Sequence, residues 1–201
     1  MNKTGDIDCL LWVQFKNGDR EAFASLYHRH ILPLIAYGTK ICPDREVLKD
    51  CIHELFVELW NSRSRLAPTD SVKFYLFSAL RYKLIRQEKR QRIQSHAILP
   101  RTDWLDEEVD NPIEVEIILR EDHAYHAALL QKAVKQLTAR QQEVIQLRYY
   151  QGFTNQQIAE LMHMHYQSVS NLLYTALCKL KEAVRLHDVI ISIFSCLLFF
   201  V

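Results

Sequence analysis

The apolar residues of this chain recur at intervals of three and four, which is the spacing of one face of a helix. Asp19 is placed to cap one such helix, in which Pro33 introduces a kink. Asp44 opens a second helix with a broad apolar stripe, and Ser71 opens a third. The polar residues 61–70 between the second and third helices predict a loop. The third helix turns four apolar residues inward: Leu76, Phe77, Leu80 and Leu84.

The second half of the chain shows the same periodicity. Thr138 caps a helix that is broken at Gly152, and a short helix then leads into a turn at His163 to His165. A long helix follows from Tyr166 to about Arg185. The pattern predicts an all-α fold of two small helical domains joined by a linker, the C-terminal one a helix-turn-helix. We expect domains at 8–92 and 128–187, a linker at 93–127 and an apolar tail at 188–201.

Glycine content removes one class of function. The 201 residues include four isolated glycines, so neither a GxGxxG loop nor a GxxxxGK loop is present to hold nucleotide phosphates.

Charge is distributed unevenly, although the formal net charge is only +1. Residues 63–92 hold nine Lys and Arg against two acidic residues, a balance of +7. Residues 103–122 hold nine acidic residues against one arginine, a balance of −8. The near-neutral total therefore cancels a basic segment against an acidic linker, whose charge suits either a solvated spacer or a mimic of a nucleic-acid strand in a basic channel.

Two segments allow two interpretations each. Acidic residues recur every four positions on the second helix, at Asp50, Glu54 and Glu58. They form either a solvated face or an acidic edge that binds a basic partner helix. The apolar stretch 189–201 would span about 20 Å as a helix, short of the ~30 Å of a bilayer core. It suits a tail that docks on the protein, or a contact with a membrane surface or a partner.

Two stretches carry signals for nucleic acid. The third helix interleaves Tyr75 and Tyr82 with basic residues, and such rings stack on unpaired bases while cations hold the phosphates, although some of the rings must belong to the core. The last helix sets an apolar stripe opposite a polar face that includes Gln167 and Asn171, and such side chains read adenine in a major groove. The alternative for this second stretch is an ordinary pair of packed helices.

Cysteine and histidine spacing argues against a metal site. The five cysteines share no CxxC spacing, which excludes a zinc knuckle and fits a reducing cytoplasm. Histidines at positions 28, 30, 53, 163 and 165 form no HExxH motif, so we expect no metal, no cofactor and no enzyme activity.

Three segments resemble those of a known family, the extracytoplasmic-function (ECF) sigma factors of the sigma-70 family. Residues 18–27 (GDREAFASLY) are similar to its opening helix, and residues 50–60 (DCIHELFVELW) to its polymerase-binding segment. Residues 137–150 (LTARQQEVIQLRYY), with the helix-turn-helix that follows, resemble its fourth region. The turn at 166–169 (YQSV) is similar to that of members from the Bacteroidetes.

The resemblance implies a role for each surface. Residues that would bind polymerase are Asp50, His53, Glu54, Phe56 and Trp60. Residues that would open and read the −10 promoter element are Asn61, Arg63, Tyr75, Ser78, Arg81, Tyr82, Lys83 and Arg86. Residues that would read the −35 element are Gln156, Tyr166, Gln167, Ser168, Ser170, Asn171, Tyr174, Thr175 and Lys179.

The resemblance also implies partners: the clamp helices and flap of bacterial RNA polymerase core, promoter DNA, and an anti-sigma factor, often membrane-anchored, for which the apolar tail offers a contact. The linker would thread the RNA-exit path. His53 stands where the family often has glutamine, and the recognition helix holds fewer basic residues than is common, which predicts a weaker phosphate grip at −35. The alternative function is a stand-alone helix-turn-helix transcriptional regulator.

Overall fold

The computed structural model describes residues 3–94 and 132–198, with side chains for 7–91 and 132–182. These residues are helices, turns and loops without a strand, so the predicted all-α class is confirmed. The chain divides into an N-terminal and a C-terminal compact unit. The predicted acidic linker, 93–127, lies almost wholly outside the described residues, and the predicted domain boundaries remain predictions.

The N-terminal unit contains four helices joined by short connections. They are α1 (Lys3–Lys16), α2 (Arg20–Gly38), α3 (Arg45–Ser62) and α4 (Val72–Gln94). Sequence reasoning did not predict α1, because Leu10 and Val13 on this helix are exposed while Trp12 and Phe15 are buried. That alternation gives no clear helical stripe, and tertiary contact rather than periodicity fixes the helix.

Polar side chains begin the other three helices at the predicted positions. Asp19 and Asp44 each accept two backbone N–H groups of the following turn at 2.8–3.2 Å. The Ser71 hydroxyl accepts the Phe74 N–H at 3.2 Å. Each cap pairs N–H groups that a helix cannot satisfy internally, so the three predicted starts are confirmed.

Apolar faces of these helices form the core of the N-terminal unit. The four residues predicted to point inward from α4 are all buried, and so is most of the stripe on α3. The buried positions of α3 are Leu48, Cys51, Ile52, Leu55, Phe56 and Leu59.

The predicted loop 61–70 is shorter in the structure. Helix α3 continues to Ser62, whose hydroxyl donates to the Glu58 carbonyl at 2.7 Å, and a 3₁₀ turn follows at Arg63–Arg65. The Arg63 guanidinium lies 4.5 Å from the centre of the Trp60 ring and stabilises that turn. Extended backbone begins at Leu66.

In the described part of the C-terminal unit, a helical stretch at 132–135 is followed by three helices. They are α5 (Ala139–Ile145), α6 (Asn155–Met162) and α7 (Tyr166–Leu198). Thr138 and Gln141 form a reciprocal capping box at the start of α5, and a π-helical turn at Gln146–Tyr150 ends it. His163 lies between α6 and α7 with φ of 53°, which gives the predicted turn its sharp bend.

The last helix is longer than predicted. The expected end near Arg185 is wrong, because α7 runs as one helix of 33 residues to Leu198. No Gly, Pro or Asn follows Arg185 to stop a helix, so the apolar composition simply extends it. Within the described ranges, none of the helices combines the length and the apolar character needed to cross a membrane.

Candidate protein and nucleic-acid interfaces

The acidic edge of α3 consists of Asp50, Glu54 and Glu58, and all three residues are exposed. The Lys83 ammonium of α4 lies 2.6 Å from Glu58 Oε1 and 3.6 Å from Glu54 Oε2. Only 14% of the Lys83 side chain is exposed, so this lysine fastens α4 to α3. It is engaged within the unit rather than displayed for phosphates.

His53 lies exposed beside this edge, whereas the two aromatic candidates on α3 face inward. Phe56 is 5% exposed, and its ring packs against Tyr27 at 4.8 Å between ring centres. The Phe56 ring therefore lies in the core and supports the edge from below, and its role in polymerase binding stays a prediction. Trp60 is half-buried against Phe23, 5.1 Å between centres, and keeps part of its ring at the surface.

Four −10 candidates form one stripe along α4. Tyr75, Ser78, Tyr82 and Arg86 follow one another at steps of three or four residues, opposite the buried face. Tyr82 is 62% exposed and Arg86 is exposed, so the outer end of the stripe offers a ring beside a cation. Arg81, half-buried, lies on the flank.

The inner end of the same stripe, formed by Tyr75 and Ser78, is half-buried. The Tyr75 ring meets the Trp12 ring edge-on at 5.2 Å, and burial raises the pKa of the Tyr75 hydroxyl. The Ser78 hydroxyl oxygen is also buried. Asn61 is exposed at the end of α3, and Arg63 is half-buried against Trp60. The structure thus leaves Tyr82, Arg86 and Asn61 as the accessible members of the −10 set.

The −35 candidates lie on the helix-turn-helix, with Gln156 exposed on α6 and the others on α7. Gln167, Ser170, Asn171 and Tyr174 share one face, and the Gln167 amide donates to Asn171 Oδ1 at 3.2 Å. Tyr174 is 70% exposed. Tyr166 is exposed and Ser168 half-buried near the start of the helix.

Two −35 candidates also hold the unit together. Gln141, which is buried, donates from its amide to the Thr175 hydroxyl at 3.1 Å and accepts from the Lys179 ammonium at 3.5 Å. The same glutamine belongs to the capping box of α5, so it joins α5 to the recognition helix. Its role escaped sequence reasoning, because 34 residues separate it from Thr175.

A buried ionic cluster joins α1 to α2, and sequence reasoning missed it. Asp8 accepts from Arg29 Nε at 2.7 Å, and its other oxygen lies 3.0 Å from His30 Nε2. Burial lowers the pKa of His30, against the opposing effect of Asp8. His30 is therefore engaged in the fold, and across the described residues no grouping of three potential metal ligands occurs.

Helix α1 also reaches the connection between α3 and α4. Trp12 Nε1 donates to the Ala67 carbonyl at 3.3 Å, and the Cys9 thiol lies 3.8 Å from the Thr69 and Asp70 carbonyls. Only the apolar character of Trp12 and Phe15 hinted at burial here, and nothing in the local pattern indicated the partner.

Comparison with known proteins bears on both units. Residues 127–180 match the family model described as Sigma-70, region 4, and this range includes α5, α6 and the first part of α7. The chain is 25% identical over 164 residues to the ECF RNA polymerase sigma factor SigX of Bacillus subtilis strain 168, covering 80% of each protein.

Two solved structures share the fold. A structure of CnrH in complex with the cytosolic domain of CnrY matches 89% of this chain and 97% of its own, with 18% identity and a TM-score of 0.57. A structure of the sigma factor RpoE in complex with the anti-sigma factor NepR, from Bartonella quintana, matches 80% of this chain and 97% of its own, with 17% identity and a TM-score of 0.51. The likeness to members from the Bacteroidetes stays a prediction.

Proposed function

We infer that this chain, an ECF sigma factor of the sigma-70 family, directs RNA polymerase core to promoters and helps to open the DNA there. The observation that carries this function is the match of residues 127–180 to sigma-70 region 4, over a helix-turn-helix whose exposed face is polar. The similarity to a curated sigma factor extends beyond that region to 80% of the chain. The curated relative SigX and the structural neighbour RpoE are both named as sigma factors.

The acidic edge of α3 is the surface we propose for polymerase. Asp50 and Glu54 offer exposed carboxylates beside His53, and Trp60 adds a partly exposed ring at the end of the same helix. Charge complementarity with a basic partner helix would guide docking and fix its register. Phe56 would act indirectly, because its ring fills the core beneath this edge.

The stripe on α4, with the connection that precedes it, is the surface we propose for the −10 element. Exposed Tyr82 is placed to stack on an unpaired base, and Arg86 follows one turn later to hold the strand by its phosphates. Asn61 and Arg63 flank the connection, and Arg81 borders the stripe. Tyr75, Ser78 and Lys83 would contribute by packing.

The exposed face of α7 is the surface we propose for the −35 element. Gln167 and Asn171 carry the amides that read adenine edges, and Tyr174 and Ser170 stand beside them. Gln156, Tyr166 and Ser168 border this face at its N-terminal end, where helix-turn-helix proteins contact bases. Thr175 and Lys179 lie at the C-terminal edge of this face, and both contact the Gln141 side chain.

An anti-sigma factor as partner, the cellular location and the absence of catalysis complete the proposal. The structural neighbours CnrH and RpoE were solved with CnrY and with the anti-sigma factor NepR, which supports an anti-sigma factor as a partner of this chain too. A factor that acts on polymerase and chromosomal DNA works in the cytoplasm. We propose that it does so without cofactor, metal or catalysis of its own, since polymerase performs the chemistry.

Charge reversal on α3 tests the polymerase surface. The double variant Asp50→Lys, Glu54→Lys should weaken binding to purified bacterial core polymerase more than tenfold, because two attractive contacts become repulsive. Glu58 still pairs with Lys83 in this variant, so the fold should hold. Glu21→Lys, an equal change per residue on exposed α2, is the control and should bind normally. Unchanged binding by the double variant would reject this surface.

A gel shift distinguishes a sigma factor from the alternative function, a stand-alone helix-turn-helix regulator. The free chain should bind duplex promoter DNA weakly and gain specificity only with core polymerase. Tight, specific binding of duplex by the free chain would favour the regulator instead.

A further inference from the structure

Side chains of α1 contact the backbone of the connection between α3 and α4. We call residues 66–71 the 66–71 loop; Ala67, Pro68 and Asp70 are exposed, and the other three residues are half-buried. Three of its backbone carbonyls face donors on α1: Ala67 receives Trp12 Nε1 at 3.3 Å, and Thr69 and Asp70 each lie 3.8 Å from the Cys9 thiol. A loop that is exposed on its outer side is therefore fixed on its inner side at several points.

These donors form one face of α1. Cys9 and Trp12 are three residues apart, so their side chains lie side by side on the helix. Trp12 is only 2% exposed, and its ring also meets the ring of Tyr75, in the first turn of α4, at 5.2 Å. A single indole therefore contacts both the loop and the start of the −10 stripe.

Helix α1 is itself held firmly enough to serve as an anchor. Asp8, adjacent to Cys9, pairs with Arg29 and His30 of α2 within a buried cluster. The loop's own internal support is limited to short-range contacts such as the Ser71 N–H, which donates to the Thr69 hydroxyl at 3.2 Å. The long-range contacts come from α1, more than fifty residues away in sequence.

We propose that Trp12 and Cys9 are positioning residues for −10 recognition. They set the shape of the 66–71 loop and the place of Tyr75, so that the exposed loop and the stripe on α4 meet the melted strand in one fixed geometry. Neither residue touches DNA. This inference rests on the proposed function, because it assigns promoter reading to the loop and to α4.

Trp12→Phe is the main test, because phenylalanine keeps a ring against Tyr75 and removes the N–H donor. Using holoenzyme with core polymerase, transcription is compared between a promoter with an intact −10 element and one with a single −10 substitution. The preference for the intact element should fall about fivefold, as expected for one lost hydrogen bond. Affinity for core should not change.

Phe15→Leu provides the matched control. Phe15 is fully buried one turn further along α1, and its ring packs on Trp12, Phe23 and Trp60. Its truncation removes ring packing beside Trp12 and core volume, but it keeps the Trp12 N–H donor toward the loop. It should lower thermal stability and leave the −10 preference intact. An equal loss of preference in both variants, or none in Trp12→Phe, overturns the positioning role.

The Cys9→Ala and Cys9→Ser pair covers the case in which Trp12→Phe does not fold. Serine keeps a donor toward the loop carbonyls and should retain more of the −10 preference than alanine, and equal behaviour counts against the thiol contact.

Hydrogen exchange at the backbone amides of the 66–71 loop, apart from Pro68, which has no N–H, needs no promoter. Exchange should accelerate in Trp12→Phe and not in Phe15→Leu, and unchanged exchange overturns the anchoring. If wild-type holoenzyme gives no promoter-dependent transcript, the proposed function fails while the exchange result still stands.

Discussion

The two surfaces proposed to read DNA are built in different ways. On α4, two members of the candidate stripe, Tyr75 and Ser78, are half-buried, and the helix is positioned by partners from α1 and α3 such as Trp12 and Glu58. On α7, most of the candidate face is exposed, and Gln167 and Asn171 contact each other along the helix. The position of the α4 surface depends on contacts with other helices. The α7 surface is carried by a helix whose opposite, apolar face packs in the core of its unit.

This difference fits the two forms of DNA that the surfaces are proposed to meet. A melted strand is flexible, so the protein must supply the fixed geometry. Duplex DNA brings its own regular groove, into which an exposed helix face can be laid.

The largest expected effect comes from removing the support behind α7. Ile158 is fully buried on α6, and Ile158→Ala should destabilise the C-terminal unit by about 2–5 kcal/mol through lost burial and a cavity. Hydrogen exchange, read by segment, should show opening of residues 139–180 while residues 20–90 stay protected. The exposed neighbour Glu160→Ala should change neither. Equal loosening of both halves would contradict the assignment of Ile158 to the C-terminal unit.

An intermediate effect is expected on the α4 stripe. Tyr82→Ala should weaken open-complex formation by about 1–3 kcal/mol, the usual contribution of one base stacked on an aromatic ring. Tyr82→Phe keeps the stacking surface and should behave like wild type. Because Tyr82 is exposed, the melting temperature should be the same for both. If the two variants lose activity equally, the hydroxyl rather than the ring matters, and stacking is rejected.

The buried cluster that holds α1 should give a smaller, pH-dependent effect. Because burial lowers the pKa of His30, the unfolded chain takes up a proton on this group at a higher pH than the folded chain does. The free energy of unfolding should therefore fall as pH drops from about 6.5, the ordinary histidine value, through the lower folded pKa. Urea unfolding between pH 5 and 7 measures it. His30→Gln should flatten this part of the profile, and an unchanged slope would contradict the assignment.

The smallest effect is expected at Lys179 on α7. Its ammonium lies 3.5 Å from Gln141 Oε1 and borders the reading face, so it is expected to make at most one phosphate contact. Lys179→Ala should reduce the slope of the logarithm of the promoter-binding constant against the logarithm of salt concentration by about one, and equally for all −35 sequences. Lys179→Arg should preserve the slope, and a sequence-dependent loss would show base reading instead.

Local features of the structure were predictable and long-range ones were not. The caps at Asp19 and Asp44 and the turn between α6 and α7 depend on neighbouring residues, so composition and spacing indicated them. The end of α7 was misjudged because nothing in the sequence stops that helix.

The supporting contacts escaped prediction for a different reason. Trp12 meets Ala67 across 55 residues, and Gln141 meets Thr175 across 34. The exposure of side chains could not be predicted from the sequence either. Phe56 and Lys83 belong to segments that resemble binding surfaces, but Phe56 is buried in the core and Lys83 pairs with Glu58. A family resemblance identifies the binding segment, and only tertiary packing identifies its accessible atoms.

One transcription experiment tests the central claim most directly. Core polymerase from the source organism is combined with the full chain and a randomised promoter library, and templates that yield transcripts are selected and sequenced. Transcripts should depend on the chain, the selected templates should share two sequence blocks at −10 and −35, and scrambling either block should abolish transcription. Absence of chain-dependent transcripts, or selection of a single duplex site bound equally well without core, would contradict it.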